Sequence, residues 1–153
     1  MVKLEANLQF MFNEYELIDR YEQASKAGFK GVELQAPYSL EKDQILEKLE
    51  THNLKHVIIN LPVNDPDTDQ ANLALIPDKK DLFLERLDLG ISYASTLGCI
   101  GINTGVGVKP QGFDDEEIFE TLVENQKIAS EKLAEKNIKA LIEPINTVDQ
   151  PGF

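Results

Sequence analysis

The sequence lacks several features that particular classes of protein require. It has no tryptophan and a single cysteine, Cys99, which excludes an internal disulfide and favours a reducing, cytoplasmic location. No run of about 18 apolar residues is present, so no membrane-spanning helix is predicted. Basic residues are scarce, with 15 Lys and Arg against 27 Asp and Glu. The resulting net charge of −12 repels phosphate groups and argues against nucleic-acid or membrane partners.

Strands and helices are predicted to alternate along the whole chain. The 153 residues are 42% hydrophobic and 27% charged, as expected for one globular domain spanning residues 1–153. Hydrophobic periodicity predicts a strand followed by a helix four times, and then a fifth strand. The predicted strands are residues 4–8, 31–34, 55–61, 99–104 and 140–142. Repeated strand–helix units indicate either a doubly wound parallel sheet or a closed (β/α)₈ barrel, the TIM barrel.

Polar residues at the strand ends favour the barrel. Each predicted strand carries one near its C-terminal end, in the order Asn7, Glu33, Asn60, Asn103 and Glu143. A barrel collects such ends around one rim, whereas an open sheet concentrates ligand contacts at one switch point. We therefore predict the first five strands and four helices of a TIM barrel.

The third and fifth strands contain continuous hydrophobic runs. The run at residues 57–59 predicts a strand buried on both faces, and the shorter run at residues 140–142 predicts a buried strand. The fifth strand ends on Glu143, and Pro144 stops it because proline cannot donate a ladder hydrogen bond. A carboxylate in this position is either catalytic or simply leaves the sheet into solvent.

Local signals predict where helices begin and how one loop behaves. Ser39 and Asp114 are candidate N-caps of the second and fourth helices. The connection from Val63 to Asp78 is long and polar, as in lids and binding loops. Its alternating aspartates suggest a calcium loop, but the sixth and twelfth positions lack the required Gly and Glu, which favours a solvated acidic loop. The residues concerned are Asp65, Asp67, Asp69, Gln70 and Ile76.

Several stretches resemble the hydroxypyruvate isomerase family of the xylose-isomerase-like barrels. They occur in the family's order along the whole chain, and residues 142–146, Ile-Glu-Pro-Ile-Asn, are the most specific. The others are residues 6–8 (Ala-Asn-Leu), 27–29 (Ala-Gly-Phe), 32–33 (Val-Glu), 60–62 (Asn-Leu-Pro), 122–125 (Leu-Val-Glu-Asn) and 151–153 (Pro-Gly-Phe).

The resemblance implies an aldose–ketose interconversion of hydroxypyruvate and tartronate semialdehyde. Glu143 matches one of two glutamates that act in this family as proton donor and acceptor. In related barrels these glutamates also hold a divalent metal ion, so Mg, Mn or Zn at Glu143 is implied. Asn7, Glu33 and Asn60 are expected to contact the substrate, although an asparagine at a strand end also commonly bonds to local backbone.

Other interpretations remain open at this point. A complete barrel has about 250 residues, so the second glutamate and further metal ligands are expected beyond Phe153. The resemblance extends to 2-oxo-tetronate isomerases and, more distantly, to endonuclease-like phosphodiesterases. The net charge of −12 and the placement of His52 and His56 away from the rim argue against the endonuclease. An inactive half-barrel is a third interpretation, and its open edge strands predict a homo-oligomer.

Overall fold

The computed structural model describes residues 3–68, 72–105, 107–146, 148 and 151. Six strand segments alternate with four α-helices, and short 3₁₀ turns occupy several connections. The strands are β1 (Glu5–Asn7), β2 (Gly31–Glu33), β3 (Lys55–His56), β4 (Ile58–Asn60), β5 (Gly101–Asn103) and β6 (Lys139–Leu141). The helices are α1 (Arg20–Lys26), α2 (Lys42–His52), α3 (Lys80–Leu97) and α4 (Asp115–Ala134).

All described strand pairs are parallel and follow the order of the chain. β1, β2 and β3 form one group, and β4, β5 and β6 form the other. Successive strands lie side by side without the reversal of order that marks a doubly wound sheet. This sequential order is the one a barrel requires, as the sequence predicted.

The predicted third strand is present as the two segments β3 and β4. The backbone of Val57 between them bonds on both sides, donating to the Val32 carbonyl and accepting from the Ile100 N–H, both at 2.9 Å. One strand therefore joins the two groups. Complete burial of residues 57–59 was wrong, because only Ile59 is buried, whereas Val57 and Ile58 are half-buried.

The last strand, β6, is less buried than its apolar sequence predicted. Ala140 and Leu141 are half-buried, and Ile142 is 58% exposed. Among the described residues β6 pairs with β5 alone, so its other edge gains no cover from a neighbouring strand. The prediction of a buried strand was therefore wrong for residues 140–142.

Alternation along the strands separates a packed face from a polar one. Ala6, Val32, Ile59 and Ile102 are all fully buried within the hydrophobic core. Because side chains alternate between faces, the residues that follow each of them point to the opposite, concave face. Those residues are Asn7, Glu33, Asn60 and Asn103.

The two predicted N-caps had opposite outcomes. Asp114 forms a complete capping box with Glu117, accepting from the N–H groups of Glu116 and Glu117 at 3.0 and 2.9 Å. The Ser39 prediction was wrong, because α2 begins only at Lys42, after Glu41. Ser39 belongs instead to a 3₁₀ turn that starts at a proline, which already supplies the backbone geometry of a turn.

The connection between β4 and α3, predicted to be a polar loop from Val63 to Asp78, contains a buried apolar segment. Leu73, Ala74 and Leu75 form a buried 3₁₀ turn. Nδ2 of the buried Asn125, on α4, donates to the Ala74 carbonyl at 3.0 Å. This half of the connection is therefore part of the packed core and does not form the predicted lid.

The acidic part of the same connection is solvated at Asp67, whose side chain is 78% exposed, but not at Asp65. Asp65 is 4% exposed and forms an ion pair with Lys79, which also pairs with Asp67 at 2.6 Å. The hydrogen bond from Lys79 lowers the pKa of Asp65. Asp69 and Gln70 lie outside the described residues, so the rest of the calcium-loop pattern stays untested there. Among the described residues, no helix is both long enough and apolar enough to cross a bilayer.

Candidate active site

The polar strand ends predicted from the sequence lie together at one rim. Asn7 is in register with Glu33, and Asn60 is in register with Asn103. Asn103 is in turn opposite Leu141, two residues before Glu143. Parallel pairing thus places all five residues at the same ends of neighbouring strands.

Glu143 contacts its neighbouring strand through Asn103. The Asn103 side-chain Nδ2 donates to Glu143 Oε2 at 2.9 Å, and the Glu143 side chain is otherwise exposed on the concave side. Asn103 Oδ1 accepts from the Gly105 N–H at 3.1 Å. The carboxylate is therefore held from one side and accessible from the other, as a proton-transferring group needs to be.

Glu33 is a half-buried carboxylate near two others. Desolvation raises its pKa above the ordinary value of 4.5, and the negative charges of Glu5 and Glu143 raise it further. A side-chain hydrogen bond with Gln35 opposes this rise. The concave face therefore favours a proton on Glu33 more than open solvent does.

The two asparagines expected to bind substrate have local backbone contacts. Asn7 Oδ1 accepts from the Gln9 N–H at 2.9 Å, which is the alternative that the sequence left open. The Asn60 backbone donates to the Gln35 carbonyl at 2.9 Å and accepts from the Tyr38 hydroxyl at 2.6 Å. These bonds hold both residues at the rim, and their contact with substrate stays a prediction.

Sequence reasoning missed the residues that support Glu143. Asn103 was recognised as a polar strand end but not as the partner of Glu143. Gln126, on α4, bonds to the turn after β5, at Thr104 and Gly105. Nothing in the sequence around Gln126 marks it, because its partners, Thr104 and Gly105, lie in the turn after β5 and not among its neighbours in the chain.

The described residues do not by themselves form a metal site. In the part of the chain that the structure describes, no three His, Cys, Asp or Glu side chains are grouped closely enough to hold a metal ion. His56 is 1% exposed and in register with Val32, so its side chain lies on the packed face and not on the face that carries the carboxylates. A divalent ion at Glu143 would therefore need donors beyond the described His, Cys, Asp and Glu side chains.

Comparison with known proteins gives a consistent family. The sequence profile described as "Xylose isomerase-like TIM barrel" matches residues 21–153. The chain is 39% identical to hydroxypyruvate isomerase of Escherichia coli, over 100% of this chain and 59% of the relative. It is 35% identical to 2-oxo-tetronate isomerase of Haemophilus influenzae, with the same two coverages of 100% and 59%. The chain thus spans about three-fifths of the length of these relatives.

Solved structures show the same fold. A crystal structure named AP endonuclease, family 2, from Brucella melitensis is similar with a TM-score of 0.94 and 36% identity, over 100% of this chain and 59% of that one. A 3-keto-D-glucoside 4-epimerase from E. coli has a TM-score of 0.73 at 12% identity, over 95% of this chain and 57% of that one, and this likeness concerns the fold alone. The chain belongs to the xylose isomerase-like TIM barrel family, of whose barrel it forms a part.

Proposed function

We propose that this chain contributes the Glu143 half of an active site that interconverts hydroxypyruvate and tartronate semialdehyde. The observation that carries the proposal is the position of Glu143, held at the rim by Asn103 and accessible from the concave face. The 39% identity to a hydroxypyruvate isomerase across the whole chain supports this substrate. The chain spans about three-fifths of the length of these relatives, so the proposal concerns a full-length protein that contains it.

The proposed reaction moves hydrogen between two adjacent carbons. Glu143 as a carboxylate takes a proton from the hydroxymethyl carbon, C3, and the electron pair left behind forms the carbon–carbon bond of an enediolate. The protonated carboxyl then delivers a proton to C2, while the hydroxyl proton moves from O3 to O2. Atoms and charge balance, and the products are an aldehyde at C3 and an alcohol at C2. A positioned acid–base group of this kind typically increases the rate by about 10²- to 10⁴-fold.

The other rim residues are proposed to bind the substrate oxygens. Asn7 and Asn60 place amide groups at the ends of β1 and β4, and Glu33 lies between them on β2. Glu33 is proposed to bind a substrate hydroxyl, for which its carboxylate is an acceptor.

A divalent Mg, Mn or Zn ion remains part of the proposal for the full-length protein. Such an ion stabilises negative charge on the substrate oxygens when it is bound. The described residues offer Glu143 without the further carboxylate, imidazole or thiolate donors that a site needs. The roles given above to Glu143 and to the rim asparagines do not depend on it. A cytoplasmic location is proposed as well, because Cys99 is a free, buried thiol.

The experiment that tests the reaction compares substrates on the full-length protein. Hydroxypyruvate and a 2-oxo-tetronate are supplied separately, and kcat/KM is measured for each. A higher value for hydroxypyruvate is expected. The reverse order would assign the protein to the second candidate, which the 35% identity to a 2-oxo-tetronate isomerase favours.

The same preparation also tests the phosphodiesterase alternative. One similar structure carries the name AP endonuclease, so DNA containing an abasic site is a necessary substrate in the comparison. No cleavage is expected, because the net charge of −12 opposes DNA binding. Efficient cleavage without isomerisation would refute the proposed function.

A further inference from the structure

The side chain of Asn103 has a determined orientation. Its Oδ1 faces the N–H of Gly105, and only the oxygen of an amide accepts such a bond. Its Nδ2 must then face Glu143, where it lies 2.9 Å from Oε2. The geometry thus makes Asn103 a donor to the carboxylate, without the usual ambiguity between amide oxygen and nitrogen.

The turn that follows Asn103 is fixed by helix α4. Gln126 Nε2 donates to the Gly105 carbonyl at 2.8 Å, and Gln126 Oε1 accepts from the Thr104 hydroxyl at 2.5 Å. Thr104 is fully buried, and its N–H donates to the Leu141 carbonyl at 3.0 Å. One glutamine therefore connects the turn to a helix, while the turn itself is bonded to the strand that leads to Glu143.

The turn needs glycine at position 105. Its φ of +74° lies in the left-handed region, and an added Cβ would approach Val63 Cγ2 to 3.0 Å. Glycine satisfies both conditions because it has no side chain. The N–H that orients Asn103 therefore belongs to a backbone that is held by the Gln126 hydrogen bond and packed against Val63.

We propose that Asn103 is a positioning residue for Glu143, and that Gln126 anchors it through the Thr104–Gly105 turn. This inference rests on the proposed role of Glu143 as acid–base group. The Asn103 amide engages Oε2 and so leaves Oε1 as the oxygen that exchanges a proton with the substrate.

Three variants of the full-length protein separate positioning from mere packing. Asn103→Asp keeps an oxygen for the Gly105 N–H but replaces the amide donor by a carboxyl group that repels Glu143 when ionised, and Asn103→Leu removes both bonds. Gln126→Leu removes the anchor, and Gln44→Leu, at an exposed position of α2, is the matched control. Both Asn103 variants are expected to lower kcat for isomerisation by about 10- to 100-fold, the usual size for residues that orient an active-site group. KM should change by less than about twofold, since kcat alone reports an interaction specific to the transition state.

The Gln126→Leu variant should show a smaller loss in the same direction, and Gln44→Leu should match the wild type. If Asn103→Leu does not fold, Asn103→Asp alone decides. Wild-type kcat in a folded Asn103→Asp variant would overturn the proposal. So would a loss that appears only in KM.

A measurement without turnover distinguishes this inference from the proposed function. In the NMR spectrum of ¹⁵N-labelled full-length protein, the Asn103 side-chain amide is compared between the wild type and Glu143→Ala. A hydrogen-bonded amide should show one proton shifted downfield, and Glu143→Ala should abolish the shift. If the wild type has no isomerase activity but the amide responds to Glu143, the function fails and the positioning contact stands. An amide resonance that ignores Glu143→Ala would refute the contact.

Discussion

Asn103 Nδ2 lies 2.9 Å from Glu143 Oε2, and this bond joins the ends of two neighbouring parallel strands. The residues are 40 positions apart in the sequence. Their contact therefore depends on the register of β5 against β6, in which Asn103 pairs with Leu141. The pairing of β5 with β6 therefore determines where the candidate acid–base group lies.

Removing the charge of Glu33 should stabilise the fold at neutral pH. Its pKa is raised, so around the ordinary value of 4.5 the folded protein binds more protons than the unfolded chain, and stability falls as the pH rises through that range. Glu33→Gln should therefore increase the free energy of unfolding at pH 7. Urea denaturation at pH 7 and at pH 4 measures this.

The gain from Glu33→Gln should shrink towards pH 4, where the wild-type carboxyl is itself protonated. Glu50→Gln, at an exposed position of α2, is the control and should change little at either pH. A destabilised Glu33→Gln variant at pH 7 would contradict the assignment of Glu33 as a charge that the fold disfavours.

The buried His56 should make the fold sensitive to mild acid. Burial lowers its pKa to about 4, from an ordinary value of 6.5, so the folded protein keeps the ring neutral where the unfolded chain takes up a proton. The contribution of His56 is fully present above pH 6.5 and is lost as the pH falls towards 4. The loss should amount to about 2–3 kcal/mol in the free energy of unfolding.

Comparison of variants isolates this effect from the titration of carboxylates. His56→Leu should remove most of the decrease between pH 6.5 and 4, whereas His52→Leu, at the end of α2, should retain it. Equal pH dependence of the His56→Leu variant and the wild type would show that another group is responsible.

The capping box of α4 should contribute measurably to stability. Asp114 accepts from two backbone N–H groups that have no partner within the helix. Asp114→Ala should lower the free energy of unfolding by about 1 kcal/mol. Thermal denaturation followed by circular dichroism measures this, with Glu120→Ala on the exposed face of α4 as the control. Equal melting temperatures for the two variants would contradict the capping role.

The exposed edge beside β6 should promote self-association of the 153-residue chain. Within the described residues β1 and β6 each pair on one side only, and Ile142 is 58% exposed next to the β6 edge. Light scattering should therefore detect a homo-oligomer, and Ile142→Lys should shift it towards monomer because charge opposes edge pairing. A monodisperse wild-type monomer would contradict this prediction.

Much of the fold could be predicted because it depends on local patterns. Hydrophobic periodicity located the helices, and in the structure α2 and α3 end at residues of positive φ, Asn53 and Gly98. The failures concern long-range effects. The exposure of Ile142 depends on which strand lies beside β6, and the burial of Leu73 depends on packing between helices, neither of which is encoded within a few residues.

The site was predictable as a set of strand ends but not as a network. Alternation and parallel pairing sufficed to place Glu33 and Glu143 on one rim. The hydrogen bond to Asn103 depends on the exact register of two strands, and the anchor at Gln126 depends on how α4 packs against the turn after β5. Such contacts between distant residues require coordinates.

The isomerase turnover of Glu143→Gln in the full-length protein tests directly whether Glu143 is the acid–base group. This substitution keeps the size of the side chain and an acceptor for Asn103 but removes the acid–base function. We expect kcat to fall by about 10²- to 10⁴-fold with an unchanged melting temperature, whereas Glu120→Gln should retain wild-type turnover. Unchanged turnover of a folded Glu143→Gln variant would show that Glu143 is not the acid–base group.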